Sequence, residues 1–428
     1  MKYKKIQTQT YNLHIIKTKK FKTVTVQANF KNKLDKEEIT YRNLLINVLC
    51  SSTKKYPTKR EMEIETENLY ELNYQATNYI SGKYNVMSFD ITFLNDKYTE
   101  DGMFDKSIDF LCEILFNPNV EDTRNYTRFN TKSFELAYNL LEDNIKAVKE
   151  STISYSKMRM LEVMSPNTMT SLRGCGYLDD LYSINAKKLY NYYKKMIKSD
   201  IIDIFVIGDV NESHVKKIIS DKFKVRTIKK KSESHFINDK SRHLIPKTYK
   251  EKQHVNQSQL VMGFKIDKMS DFEKRYVMNV YSYILGGGPD SKLFQNVREK
   301  NSLCYSISSI TQPLNSIMMV TAGIKASDFK KTVNLIKKEI KKMQKGSFSD
   351  EDIIKAKVTY MNSIKELEDN PQNLLGMYAG IEYLKSDDID TRIKKINRVT
   401  RKSVMKLANK IHLDTIYLLE GALEDEQV

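Results

Sequence analysis

The chain repeats itself once, and this constrains its fold more than any other feature. The segment Asn185–Val210 carries apolar residues at helical spacing, breaks at Ser199-Asp200, and continues as a short apolar run ending at Gly208. The segment Thr400–Leu423 does the same, with its glycine at Gly421. The starts of the halves also correspond. Phe21–Phe30 alternates as a strand does and leads into a helix through Tyr41–Leu49. Ser258–Ile266 is again strand-like and leads into Met269–Leu285, a helix with an acidic first turn. Each half thus runs strand, helix, further strands and helices, helix, strand.

Between the halves lies Arg226–His243, RTIKKKSESHFINDKSRH, polar, charged and without period. The sequence therefore predicts two tandem homologous domains, residues 1–225 and 244–428, joined by a linker over 226–243. Strands mixed with helices, without regular βαβ spacing, predict α+β domains, each a mostly antiparallel sheet with helices packed on one face. Asp101–Phe116 has the spacing of a helix and stops at Asn117-Pro118, where proline disfavours continuation. Ser349 and Asp352 form a capping-box pattern ahead of Ile353–Leu367.

Composition narrows the class. Hydrophobic residues at 40% and charged residues at 29% describe a globular chain. The N-terminal stretch has charges but no apolar core of the kind a secretory signal carries. No window approaches the roughly 18 apolar residues of a membrane span. The four cysteines, Cys50, Cys112, Cys175 and Cys304, are far apart and make no C-x-x-C pair. The expectation is a cytoplasmic protein with no membrane association. A net charge of +17 invites a nucleic-acid reading. The lysines are spread over nearly every segment, however, with no aromatic RNA-binding motif and no zinc knuckle. A solvated lysine-rich surface is the simpler reading, and a basic wall facing an acidic peptide or partner is the functional one.

Leu285–Ser306 reads LGGGPDSKLFQNVREKNSLCYS: a glycine cluster, an amphipathic helix, then Leu303-Cys304-Tyr305. Taken by itself it is a strand-to-helix turn followed by Arg298 as a surface ion-pairing residue and Tyr305 as a core aromatic. As a whole it resembles the second-domain signature of the pitrilysin (insulinase-like, M16) metallopeptidase family. Ser349–Leu374 is similar to that family's long helix, and Leu115–Val120 and Val206–Val210 are similar to parts of its first domain. The resemblance implies that Arg298 holds substrate backbone carbonyls and that Tyr305 donates a hydrogen bond near the developing oxyanion. It also implies that Gly286, Gly287 and Gly288 let backbone approach a peptide closely.

Active members carry His-x-x-Glu-His on an early helix, two histidines for zinc and a glutamate as general base. In register, this chain has Asn43-Leu44-Leu45-Ile46-Asn47. Both histidine positions hold asparagine, and the base position holds Ile46. The third ligand's helix falls near Phe134–Glu142, where Glu135 or Glu142 alone could not hold the ion. The six histidines, His14, His214, His235, His243, His254 and His412, include no i, i+4 pair. The expectation is a chain without metal or cofactor of its own and without catalytic residues acting alone. It would be the accessory subunit of a heterodimeric M16 peptidase whose zinc sits on a homologous partner, with peptide as substrate and Arg298 and Tyr305 supplied in trans. The alternative is a non-catalytic scaffold or peptide-binding protein of the same fold.

Overall fold

The structure, a computed structural model, describes residues 1–225, 233–237 and 242–421. The expected linker, 226–243, lies mostly outside the described residues. In chain order the first half contains β1 (Lys2–Gln7), β2 (Tyr11–Lys17), β3 (Thr23–Lys33), α1 (Lys36–Leu49), α2 (Lys59–Asn68), β4 (Asn73–Ser81), β5 (Tyr84–Leu94) and α3 (Met103–Phe116). There follow β6 (Val120–Asp122), β7 (Thr127–Phe129), α4 (Thr131–Ala147), α5 (Thr152–Met164), α6 (Leu178–Tyr182), α7 (Ala186–Ser199), β8 (Ile201–Gly208) and α8 (Glu212–Lys222). The second half contains β9 (Lys247–Gln253), β10 (Ser258–Ile266), α9 (Met278–Gly286), β11 (Ser306–Gln312), β12 (Ile317–Ile324) and α10 (Phe329–Gln344). It closes with α11 (Asp350–Glu366), α12 (Pro371–Leu384), α13 (Ile389–Ile396), α14 (Arg401–Ala408) and β13 (Ile411–Gly421).

Local signals fix several of these boundaries. Asp35 caps α1 by accepting from the Glu37 N–H. Asn117-Pro118 ends α3, and the Ser349–Asp352 capping box is formed with both of its reciprocal bonds. Among the described residues no helix is long and apolar enough to cross a membrane.

Two α+β units result, and they are interleaved along the chain. The first comprises Met1–Lys146, Arg173–His235 and Glu368–Lys385; the second comprises Ala147–Leu172, Phe236–Leu367 and Ser386–Val428. The first sheet has the order β1-β2-β8-β3-β5-β4 and the second β11-β12-β10-β13-β9. Both are antiparallel apart from one parallel pair each, β2 with β8 and β13 with β9.

Strand alternation divides the first sheet into two faces of different character. Val26, Ala28, Phe30, Phe89, Ile204 and Val206 are buried towards the main helical layer. The opposite face carries His14, Asn29, Lys31 and Asp203, with Asn29 opposite Asp203 in the ladder. It is covered by α12, which the chain supplies from its second half. Asn29 Nδ2 donates to the Tyr383 hydroxyl at 3.1 Å, and Lys31 Nζ lies 3.7 Å from the Tyr383 ring centroid. Lys5 pairs with Glu382 at 2.5 Å. Burial pushes the Lys31 ammonium down to about 8, against the attraction of Asp203.

The second sheet is covered in the reciprocal manner by α5, supplied from the first half. Here the seat is apolar: Val261, Ile317, Met319, Tyr417 and Leu419 pack with Met160 and Met164. Gly263 makes the close approach possible, because a Cβ there would lie 2.4 Å from Met160 Sδ and 2.7 Å from Met164 Sδ. The Tyr155 and Tyr417 hydroxyls both donate to Glu251, at 2.5 and 2.8 Å.

Candidate functional site

The glycine-rich segment of the second unit ends α9. Gly286 is buried against β11, and a Cβ on it would sit 2.6 Å from the Ser309 nitrogen, so helix-to-strand packing requires a glycine there. Gly287 closes the helix by donating to Tyr283 O at 3.0 Å. A Cβ on Gly288 would meet nothing within 4 Å, so this backbone is open on its side-chain side.

Arg298 lies in a π-helical segment, Phe294–Glu299, the wider winding that often marks functional positions. Val297 anchors this segment in the core, which leaves Arg298 facing outward. Its guanidinium lies 4.5 Å from the Phe294 ring centroid and its Nε 3.7 Å from Glu299 Oε1, so an aromatic face and an exposed carboxylate both hold the cation. The chain then reverses. Ser302 adopts φ +49°, in the left-handed region, and the Ser302 and Leu303 N–H groups donate back to Arg298 O and Val297 O at 2.9 and 3.1 Å. Leu303 and Cys304 turn inward and Tyr305 emerges just before β11, its N–H donating to Gly323 O at 3.0 Å. Burial raises the Cys304 thiol to about 11, partly offset by the positive charge of Arg298.

The backbone at Tyr305 is therefore fixed while its side chain is 66% exposed. Tyr305 thus stands just before a strand with most of its side chain in solvent. The turn at Ser302 carries no sequence signal comparable to a glycine, so the sequence offered the two side chains and not the device that presents them.

In the first unit, α1 places Asn43 and Asn47 one turn apart. The Asn43 amide donates to Ile39 O at 3.0 Å and to Gly174 O at 2.9 Å, tying down the loop before α6. Ile46 is buried in the core. An amide used as a backbone tether, a buried isoleucine and a second asparagine do not make a zinc site, since none supplies imidazole, thiolate or carboxylate. Glu142 is engaged by Lys146 at 2.7 Å and by the Tyr182 hydroxyl at 3.1 Å. Those two contacts hold its carboxyl below the usual range. Among the described residues no group of three or more His, Cys, Asp or Glu is placed to hold a metal. Four of the six histidines meet a carboxylate instead: His14 meets Asp203, His214 meets Asp105, His243 meets Asp414 and His412 meets Asp267.

Two similar α+β units, with no zinc ligand at the motif positions of the early helix, are what an inactive homologue of a two-domain metallopeptidase presents. Comparison with known proteins gives the same class. Residues 183–360 match the family described as the Peptidase M16 inactive domain. The chain is 30% identical over 413 residues to a protein of Bacillus subtilis named probable inactive metalloprotease YmfF, covering 95% of each. It is 22% identical over 286 residues to an uncharacterized zinc protease of the same organism, YmxG, covering 63% of this chain. Among solved structures, a conserved protein from Enterococcus faecalis superposes with a TM-score of 0.91 at 26% identity over 98% of both chains. A Peptidase M16 inactive domain from Pseudomonas fluorescens has the same fold, with a TM-score of 0.80 at 13% identity over 99% of each chain. This chain belongs to the M16 peptidase family, as a homologue of its inactive members.

Proposed function

We propose that this chain is the non-catalytic subunit of a two-chain zinc peptidase. It pairs with a homologous zinc-bearing chain, binds peptide, and supplies Arg298 and Tyr305 to the partner's active site. The observation that carries the reading is the presentation of Tyr305: a rigid backbone, an inward-turned neighbour on one side, and a side chain directed into solvent. Arg298 adds an exposed cation held by the Phe294 ring and by Glu299. Gly287 and Gly288, at the end of α9, add accessible backbone. The chemistry asked of Tyr305 is a single hydrogen bond to an oxygen that gains charge as the peptide bond is attacked. Such a donor is worth roughly 10²–10³ in rate where water is excluded.

The test is reconstitution. The purified chain is mixed with the zinc-motif relative from the same genome, with zinc present, and peptide hydrolysis is followed. Cleavage by the mixture and not by this chain alone is expected. Tyr305→Phe, which keeps the ring and removes the donor, should lower kcat by about 10²-fold with KM little changed. Arg298→Ala should act mainly by raising KM. If the mixture cleaves and Tyr305→Phe leaves kcat level, this chain acts as a scaffold and the assignment of Tyr305 is wrong.

A further inference from the structure

The two repeats treat one equivalent helix in opposite ways. In the first unit α3 follows β5 through a short 3-10 turn, Asp96–Tyr98; in the second α10 follows β12 through a matching turn, Ala326–Asp328. On α3 the charges are Asp105, Asp109 and Glu113 against one lysine, Lys106. On α10 they are six lysines against one glutamate. A general lysine excess does not account for this, because the same chain made the equivalent helix acidic.

The glutamate of α10 does not offset the lysines at the surface. Glu339 is buried and accepts from Asn296 Nδ2 at 3.1 Å and from Lys342 Nζ at 2.7 Å. Lys330, Lys331, Lys338 and Lys341, with Lys345 just beyond the helix, are exposed, and none meets a carboxylate among the described residues. Lys331, Lys338 and Lys345 recur every seven residues, a step of about 10 Å along one side of the helix.

In the first unit the acidic helix is covered by a neighbour of opposite charge. α8 follows β8 and lies on α3, burying Val215 and Ile219, with His214 on Asp105 at 2.6 Å and Lys222 on Asp109 at 2.5 Å. β13 is the repeat of β8, and the described residues stop at its last residue, Gly421. α10 packs instead on α14, with Gln344 Nε2 donating to Ala408 O and Asn409 Nδ2 to Gln344 O, both at 3.4 Å, and among the described residues no helix follows β13 as α8 follows β8.

We propose that the lysine face of α10 is a docking surface for an acidic helical segment of a partner protein, laid along it as α8 lies along α3. A helix is favoured over other polyanions by the precedent within the molecule and by the seven-residue period, which matches a row of carboxylates on a second helix. No exposed large apolar residue lies on α10 to enter a lipid surface, and the face has no arginine or aromatic residue to engage bases. The inference is independent of the reading of Tyr305, since it concerns a different element and is tested by binding alone.

The experiment uses the full chain and a synthetic 20-residue helical peptide with glutamates on one face, followed by fluorescence anisotropy. Saturable binding that weakens as salt is raised is expected. Lys331→Glu, Lys338→Glu and Lys341→Glu together should weaken it at least tenfold, with an unchanged circular dichroism spectrum, as should the milder set of Gln substitutions to a lesser degree. The control reversal Lys19→Glu, Lys54→Glu and Lys132→Glu, at exposed lysines of the first unit, should leave binding within twofold. Any of four results would overturn the proposal: equal binding of a proline-broken peptide of the same charge; tighter binding of a 20-base-pair DNA duplex; tighter binding of phosphatidylserine vesicles; or insensitivity to the α10 reversal. Peptide binding that emerges only on deleting residues 422–428, which include Glu424, Asp425 and Glu426, would make the chain's own end the occupant and equally overturn it.

Discussion

Arg42 and Asp200 form an ion pair with both side chains withdrawn from water, and the Arg42 guanidinium also donates to Phe30 O at 3.3 Å. Burial pushes the Asp200 carboxyl up, while the guanidinium beside it pulls the other way. Removing one partner strands the other charge, so Arg42→Leu should cost about 3–5 kcal/mol in urea unfolding, and adding Asp200→Leu should recover much of that loss. His235 gives a pH dependence. Burial, reinforced by Lys31, lowers its imidazole from 6.5 to about 4. The unfolded chain therefore binds more protons between these values. The stability this residue contributes is fully present above pH 6.5 and is lost as pH falls towards 4. Between pH 7 and pH 4.5 the wild type should lose about 2–3 kcal/mol more than His235→Phe, measured by urea unfolding. At this scale the sequence was legible where chemistry is local. Asn43, Ile46 and Asn47 announced a helix without zinc ligands, because ligand identity is written in the residue type. Arg42, adjacent to them, gave no sign of its burial, because its partner is 158 positions away.

At the scale of elements, the two covering helices differ in how they adhere. α5 is held by methionines over a glycine, α12 by a tyrosine among charges. Gly263→Leu should destabilise the second unit by about 1–3 kcal/mol through overpacking, and Met160→Ala in the same chain should return part of the loss. Helices with strong caps or a proline stop, such as α3 and α11, were readable from periodicity and end signals. Strand order was not, since pairing β2 parallel to β8 joins residues with a long intervening chain. The same limit hid the exchange. The apolar residues of α5 have helical spacing wherever the helix docks, and nothing in the spacing says which sheet receives it. The π-helical winding that presents Arg298 was likewise silent, because its composition is that of an ordinary helix.

For the whole molecule, interleaving means that neither half of the sequence contains a complete unit. A fragment of residues 1–225 lacks α12, and one of residues 244–428 lacks α5. Each leaves a sheet face bare. Expressed separately, both should be poorly protected in hydrogen exchange, whereas the full chain should show protection in β3, β8, β10 and β13. Stable, fully protected fragments would show that the exchanged helices contribute little.

The polarity of the two covered faces matches the order in which a ribosome delivers the chain. The first sheet is complete in sequence by Gly208, and at ordinary synthesis rates it waits on the order of ten seconds or more for residues 371–384. A face that waits in water is best made of His14, Asn29, Lys31 and Asp203, which do not recruit stray nascent chains. The second sheet never waits, because α5 has already been made when β10 and β13 emerge, and its face can be built from Val261, Met319 and Tyr417. The charged seat belongs to the sheet whose cover is made last, and the greasy one to the sheet whose cover is made first.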